Sequence, residues 1–396
     1  MVDLAELITN EVFDNSRRFL PGRVCTREDF SHNLGLPILV DGLTREETLL
    51  ALSTLPRGAN SLSLAPLDKG LSASKVFAAK FDAGNRRVSK VFVMKLGARN
   101  KIAREAEALE TLVAVTLPGS APPVYRLGPN IGVVVQDLAG LTPSAKLTSF
   151  RHYSRTSPRS DQIIFRLFRE RFRNWYFSED ETDPVTVRLS DAFARYLAKS
   201  GGGALFPEGW SELKQWVQEE SGHDWSAVRP AYESALNHTV LTPSCIVHGD
   251  LHSQNILVDD NEECWPIDFA WCHENATPLV DLVMLECSLK FLAIPRRSDL
   301  RVLIRIEVAL AQSYRDVPST GNVPYRDEIA NVLRALAAVR EVAATDFGFA
   351  FGDYQRALFL MNYALVNHPQ LNRPYALASL QIHAGELLNN GRVLTA

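Results

Sequence analysis

The chain has 396 residues, a formal net charge of -4, and 46% hydrophobic against 22% charged residues, values ordinary for a soluble globular protein with room for two or three packed units. The mild acidity argues against a dedicated nucleic-acid coat or a polybasic membrane binder, and no apolar run approaches the length of a membrane span. The opening stretch MVDLAELITNEVFDN is too acidic and mixed for a secretory signal, and the five scattered cysteines (Cys25, Cys245, Cys264, Cys272 and Cys287) read as reduced thiols of a cytoplasmic protein.

Residues 1–60 open with an amphipathic segment from Leu4 to Phe13. They then give a turn at Asp41-Gly42 and a helix start at Thr44-Arg45-Glu46-Glu47, ahead of Leu49, Leu50 and Leu52. This extension is expected either to cap the next unit or to meet a protein partner. Residues 61–140 alternate and break like a small twisted sheet, with strands expected over 61–67, 75–81 and 91–96. Between the first two lies Gly70-Leu71-Ser72-Ala73-Ser74, small residues whose backbone amides can approach an anion. Lys95 stands in the middle of the apolar third strand, where an ammonium needs phosphate and carboxylate partners to be buried. A helix expected over 101–115 buries Ile102, Ala106, Leu109, Leu112 and Val113 and carries Glu105 and Glu107 near its start. Residues 133–140 read as a strand leading into a connector.

Residues 141–243 form a helical insert. Its segment 161–176 carries the apolar stripe Ile163, Ile164, Leu167, Phe168, Phe172 and Trp175. The other side is basic: Arg151, Arg155, Arg159, Arg166, Arg169 and Arg171 stand against only Asp161 and Glu170. Gly201-Gly202-Gly203 reads as a flexible turn or the edge of a lid. The densest signal follows at 244–270, SCIVHGDLHSQNILVDDNEECWPIDFA. Here Asp250, Asn255 and Asp268 sit at the edges of short apolar strands. Two carboxylates and an amide in this order suit phosphoryl transfer: one carboxylate orients an acceptor hydroxyl, and the amide oxygen with the second carboxylate holds Mg²⁺ against nucleotide phosphates.

His248-Gly249-Asp250, Asn255 five residues on, and Ile267-Asp268-Phe269 resemble the H-G-D-x-x-x-x-N and I-D-[FW] motifs of the aminoglycoside phosphotransferase and choline kinase-like families, relatives of the protein kinases. Ala270 departs from the protein-kinase pattern, which has Gly there. The resemblance implies an α+β, bilobal protein-kinase-like fold with a small antiparallel-sheet N-lobe and a larger, mainly helical C-lobe. Residues 1–60 would then be an N-terminal extension, 61–140 the nucleotide-binding lobe and hinge, and 141–396 the helical lobe. It also implies residue roles. Asp250 would be the catalytic base, Asn255 and Asp268 the metal ligands, and Lys95 the grip on ATP phosphates, with Glu105 positioning it and Glu107 in reserve. Gly70, Ser72, Ala73 and Ser74 would cover the terminal phosphates, and backbone groups at Gln136 and Leu138 would meet the purine, so GTP is as compatible as ATP. His248 and Asp281 would brace the catalytic loop.

The expected activity is Mg²⁺-dependent transfer of a γ-phosphoryl group to a hydroxyl of a small molecule, an anionic one if the insert arginines face the acceptor. No A-P-E segment follows Asp268, and Pro278-Leu279-Val280-Asp281-Leu282 comes almost at once. That leaves little room for a peptide-docking loop and disfavours a protein kinase. The rival from another class is a nucleotide-binding scaffold, pseudokinase-like, that holds a protein partner through residues 1–60 or the basic insert. Neither a membrane nor a nucleic acid is an expected partner.

Overall fold

The structure is a computed structural model that describes residues 43–54, 61–67, 74–82, 91–117, 122–138, 146–177, 183–199, 210–314 and 325–393. The amphipathic segment of residues 4–13, residues 70–73 of the small-residue loop, and the glycine turn at 201–203 lie outside the described residues. The fold is α+β. Two compact units divide the chain: Met1–Ser149 with Leu257–Cys272, and Phe150–Ile256 with His273–Ala396.

The first unit opens with helix α1 (Arg45–Leu52), started by the capping box that Thr44-Arg45-Glu46-Glu47 suggests. Thr44 Oγ1 accepts from the Glu47 amide at 3.2 Å, and Glu47 Oε2 accepts from the Thr44 amide at 2.7 Å. Strands β1 (Ser61–Pro66), β2 (Lys75–Asp82) and β3 (Val91–Ala98) follow, then helix α2 (Arg99–Ala108) and strands β4 (Val124–Leu127) and β5 (Ile131–Asp137). They form one antiparallel sheet in the order β1-β2-β3-β5-β4. Strand periodicity sorts its side chains. Phe77, Ala79, Met94, Leu96, Val133 and Val135 form one core with Leu43, Leu50 and Ala51, so α1 belongs to the core of this sheet.

Val93 and Lys95, at the alternate positions of β3, belong to the opposite face. There Val93 packs with Leu138, Leu257, Trp265 and Ile267. The last three come from the returning segment, in which β10 (Ile256–Val258) pairs with β11 (Cys264–Pro266) and with β6 (Thr148–Ser149). Gly132 lets α2 approach the sheet: a Cβ there would lie 3.0 Å from Ile102 Cβ.

The second unit is mainly helical. It contains α3 (Phe150–Thr156), α4 (Ser160–Arg166), α5 (Arg173–Tyr176), α6 (Ala194–Lys199), α7 (Ser211–Ser221), α8 (Val228–Asn237), α9 (Leu279–Ser288), α10 (Leu300–Leu310), α11 (Arg326–Glu341), α12 (Phe351–Leu365) and α13 (Arg373–Val393). Two-stranded ribbons pair β7 (Val185–Arg188) with β8 (Thr239–Thr242) and β9 (Cys245–Val247) with β12 (His273–Ala276). A wide turn at Leu167–Arg171, closed by Phe172 N–H to Leu167 C=O at 2.9 Å, joins α4 to α5. The six stripe residues from Ile163 to Trp175 are all buried, within that turn and on either side of it. Helix α9 is buried along its whole length. Among the described residues no helix is long and apolar enough to cross a membrane.

Candidate functional site

In the first unit the chemistry gathers around Lys95. The residue sits mid-strand in β3, opposite Val134 of β5, and only 3% of it is exposed. Its Nζ lies 2.7 Å from Glu105 Oε2 and 2.5 Å from Asp268 Oδ1. Glu105, on the buried side of α2, is the carboxylate that touches Lys95; Glu107 is exposed. A fourth group joins them: Lys101 Nζ lies 3.2 Å from Asp268 Oδ2. Burial alone would raise the Asp268 carboxyl, but the Lys95 and Lys101 ammonium groups outweigh it and hold the carboxyl well below its usual range. The Lys95 ammonium is opposed by burial in the same way, and Glu105 and Asp268 keep it protonated. Asp268 also has a positive φ of 67°. A non-glycine residue in this region is strained by about 1–3 kcal/mol, a cost that clusters at functional positions.

In the second unit, the loop after β9 carries His248, Gly249 and Asp250. Gly249 takes φ of 74°, which a side chain would resist. Asp281, near the start of α9, receives the His248 amide at 2.7 Å, the Gly249 amide at 2.8 Å and the Tyr176 hydroxyl at 2.8 Å. Tyr196 of α6 donates its hydroxyl to the Gly249 carbonyl. The buried His248 ring takes the Asp250 amide at 3.3 Å on Nδ1. Asn255 Nδ2 donates to the Asp250 carbonyl at 2.9 Å. The Asp250 side chain is left half-buried. His252, outside the motif, is buried.

Among the remaining predicted positions, Gly70, Ser72 and Ala73 fall outside the described residues, whereas Ser74 is half-buried ahead of β2. Gln136 and Leu138 are buried at the end of β5. Strand β4 pairs no further than Val135, so among the described residues β5 has no neighbour on that edge from Gln136 onward. Three of the insert arginines are engaged within the second unit. Arg155 pairs with Glu328 at 2.8 Å, Arg169 with Asp346 at 2.7 Å, and Arg151 Nε donates to the Leu292 carbonyl at 3.0 Å. These contacts hold α3 and the turn after α4 against their neighbours, and none of the three supports an anionic acceptor. Lys101, Tyr176 and Tyr196 are the site residues that sequence reasoning missed. Lys101 stands four residues before Glu105 on one helix face, which was the available signal.

The donor set fits a nucleotide and a hard divalent cation. Glu105 and Asp268 take two of the three N–H donors of the Lys95 ammonium, so the third remains for a phosphate oxygen. The Asn255 amide nitrogen is committed to Asp250, which leaves its oxygen as the atom to offer a cation. Among the described residues no group of three or more His, Cys, Asp or Glu could hold a metal by itself.

A family described as ternary complex associated domain 9 matches residues 214–358. No curated protein matches the chain. Among solved structures, the chain is similar to the aminoglycoside phosphotransferase APH(4)-Ia, at 11% identity, with 83% of this chain and 95% of that one covered and a TM-score of 0.46. It is also similar to the choline kinase LicA from Streptococcus pneumoniae, at 10% identity, 87% and 97% coverage and a TM-score of 0.41. A third is the spectinomycin phosphotransferase APH(9)-Ia in complex with ADP and spectinomycin, at 13% identity, 84% and 92% coverage and a TM-score of 0.38.

Proposed function

We propose that the chain is an ATP-using, Mg²⁺-dependent phosphotransferase acting on a hydroxyl of a small molecule. The observation that carries this reading is the buried centre of the first unit, where Lys95 lies 2.7 Å from Glu105 and 2.5 Å from Asp268. A lysine buried between two carboxylates and still holding donor capacity is arranged for an anion, and the same carboxylate suits a cation that accompanies it. In this reading Lys95 grips the α- and β-phosphates, Glu105 fixes Lys95, and the amides of Ser72, Ala73 and Ser74 cover the terminal phosphates. The apolar cluster of Val93, Leu138, Leu257, Trp265 and Ile267 gives the purine its hydrophobic surface, and the open edge at Gln136 and Leu138 supplies backbone groups to the ring. GTP can satisfy the same contacts.

Asp268 and Asn255 are the residues we assign to the cation, which when bound neutralises charge developing on the phosphates. Asp250 orients the acceptor hydroxyl and receives its proton late in a loose transition state. His248, Asp281, Tyr176 and Tyr196 keep the Asp250 loop in one conformation, so that little reorganisation remains at the moment of transfer. A small-molecule acceptor is our reading of the hydroxyl substrate. The match of residues 214–358 to ternary complex associated domain 9 favours a second reading: a nucleotide-binding member of a protein assembly.

Mg²⁺-dependent ADP release separates the two. The full chain and Asp250→Ala are assayed against aminoglycosides, amino alcohols, sugars, nucleosides and phosphorylated metabolites. Acceptor-stimulated release by the wild type, reduced at least 1,000-fold in Asp250→Ala with nucleotide affinity retained, is the expected result. Tight nucleotide binding without stimulated release by any acceptor supports the assembly reading instead.

A further inference from the structure

Lys101 is absent from the motifs that define the candidate site, yet it touches the carboxylate assigned to the metal. Asp268 presents two oxygens, and each faces an ammonium: Lys95 at 2.5 Å on Oδ1 and Lys101 at 3.2 Å on Oδ2. Two monovalent cations on one carboxylate supply the charge a single divalent ion would bring. The two lysines are not equivalent. Lys95 is buried in a strand and shared with Glu105. Lys101 sits in the first turn of α2 with its side chain 20% exposed, and among the described residues Asp268 is the only carboxylate within ion-pair distance of it. It reaches Asp268 through a flexible four-carbon stem and holds it at a longer distance, so it is the partner that can leave.

We propose that Lys101 is a resident counter-ion for Asp268 that a divalent cation displaces, so that it sets how much Mg²⁺ nucleotide binding requires. The proposal rests on the phosphotransferase reading and adds to it a positioning residue of the metal site. With Lys101 in place, Asp268 stays neutralised while no nucleotide is bound, and free metal is a poor ligand for it. Binding of metal with nucleotide then has to overcome that contact, because a ligand gains only the difference between the two states it selects.

The test is calorimetric titration of ADP into the full chain over a series of free Mg²⁺ concentrations, repeated with Mn²⁺. Wild type, Lys101→Met, Lys101→Arg and Asp268→Asn are compared. Lys101→Met should lower the half-saturating free Mg²⁺ by about tenfold, within the usual range of coupling between two ligands of one site. Lys101→Arg, which keeps the charge, should stay near wild type, and Asp268→Asn should lose the metal dependence. A merely structural ion pair would change the melting temperature and leave half-saturation where it was. A metal-dependent wild type with Lys101→Met unshifted, or shifted to higher Mg²⁺, overturns the role of Lys101 alone. A wild type whose ADP binding ignores Mg²⁺, as in Asp268→Asn, overturns the phosphotransferase reading and this proposal with it.

Discussion

Asp281 is a fully buried carboxylate satisfied by three donors, two of them backbone amides of the His248-Gly249 loop. Burial pushes its carboxyl up, and the nearby His248 and the three donors offset only part of that push. Asp281→Ala strands two amides and the Tyr176 hydroxyl, each worth about 1–3 kcal/mol when left without a partner. The expected outcome is a loss of about 3 kcal/mol in urea unfolding and a collapse of turnover. ADP affinity, whose phosphate grip we assign to Lys95 of the first unit, should fall far less than turnover. Binding and kinetics measured on the same preparation check this. Lys95 and Glu105 were legible because a charged residue inside an apolar strand demands partners and the first helix after it offers one. Lys101 was not, since a lysine four residues before a glutamate on a helix looks like any solvated pair. Tyr196 left no trace in the sequence, because its contribution is one hydroxyl on a carbonyl far away in the chain.

At the scale of elements, the position of α2 decides whether Glu105 reaches Lys95. That position depends on Gly132 in β5, where a Cβ would come within 2.9 Å of Leu127 Cδ2 and 3.0 Å of Ile102 Cβ and Cγ2. The Leu127 tip can rotate away, but Ile102 is branched at the clashing atom and its helix has to move. Gly132→Val should therefore destabilise the chain by about 1–3 kcal/mol and weaken nucleotide binding beyond what that loss explains. Thermal unfolding and ADP titration on the one variant give both numbers. Strands β1, β2, β3 and β5 were readable because alternation survives in β2 and β3, and α1 because its capping box is local, whereas the four-residue β4 was missed. The wide turn at Leu167–Arg171 was hidden, since an apolar stripe at helical spacing tolerates one extra residue without losing its face.

Across the second unit runs a charged core that helical periodicity concealed. Glu286 and Lys290 are spaced like an exposed i,i+4 pair, yet both are 0% exposed. Arg340 grips Glu286 at 2.7 and 2.9 Å, and Tyr354 donates to Glu286 at 2.7 Å. Lys290 pairs with Glu307, which also takes Tyr375 and Ser379 at 2.7 Å each and His383 at 2.8 Å. Two buried acids balance two buried bases, and the network ties α9, α10, α11, α12 and α13 together. Burial pushes Glu286 and Glu307 up, but their partners prevail and hold both below the ordinary value of 4.5. Carboxylates lowered in this way contribute their full stability above 4.5 and lose it as pH falls from there through the lowered folded-state value. Lys290→Met should cost about 3–5 kcal/mol at pH 7, because it leaves a buried carboxylate unpaired. The gap from wild type should narrow at acid pH, where protonation of Glu307 relieves the variant while the wild type keeps Glu307 ionised and paired. Chemical unfolding at pH 7 and pH 4 reads both effects.

The division of the chain also has a consequence for its birth on the ribosome. Met1–Ser149 is synthesised first, but that unit is completed only by Leu257–Cys272. Between the two stretches the ribosome makes the first half of the other unit, which at 5–20 residues per second takes roughly 5–20 s. During that interval Val93 and Leu138 await Leu257, Trp265 and Ile267, and Lys95 awaits Asp268. The nascent chain thus carries a bare apolar face beside a half-paired lysine, a natural landing place for a chaperone.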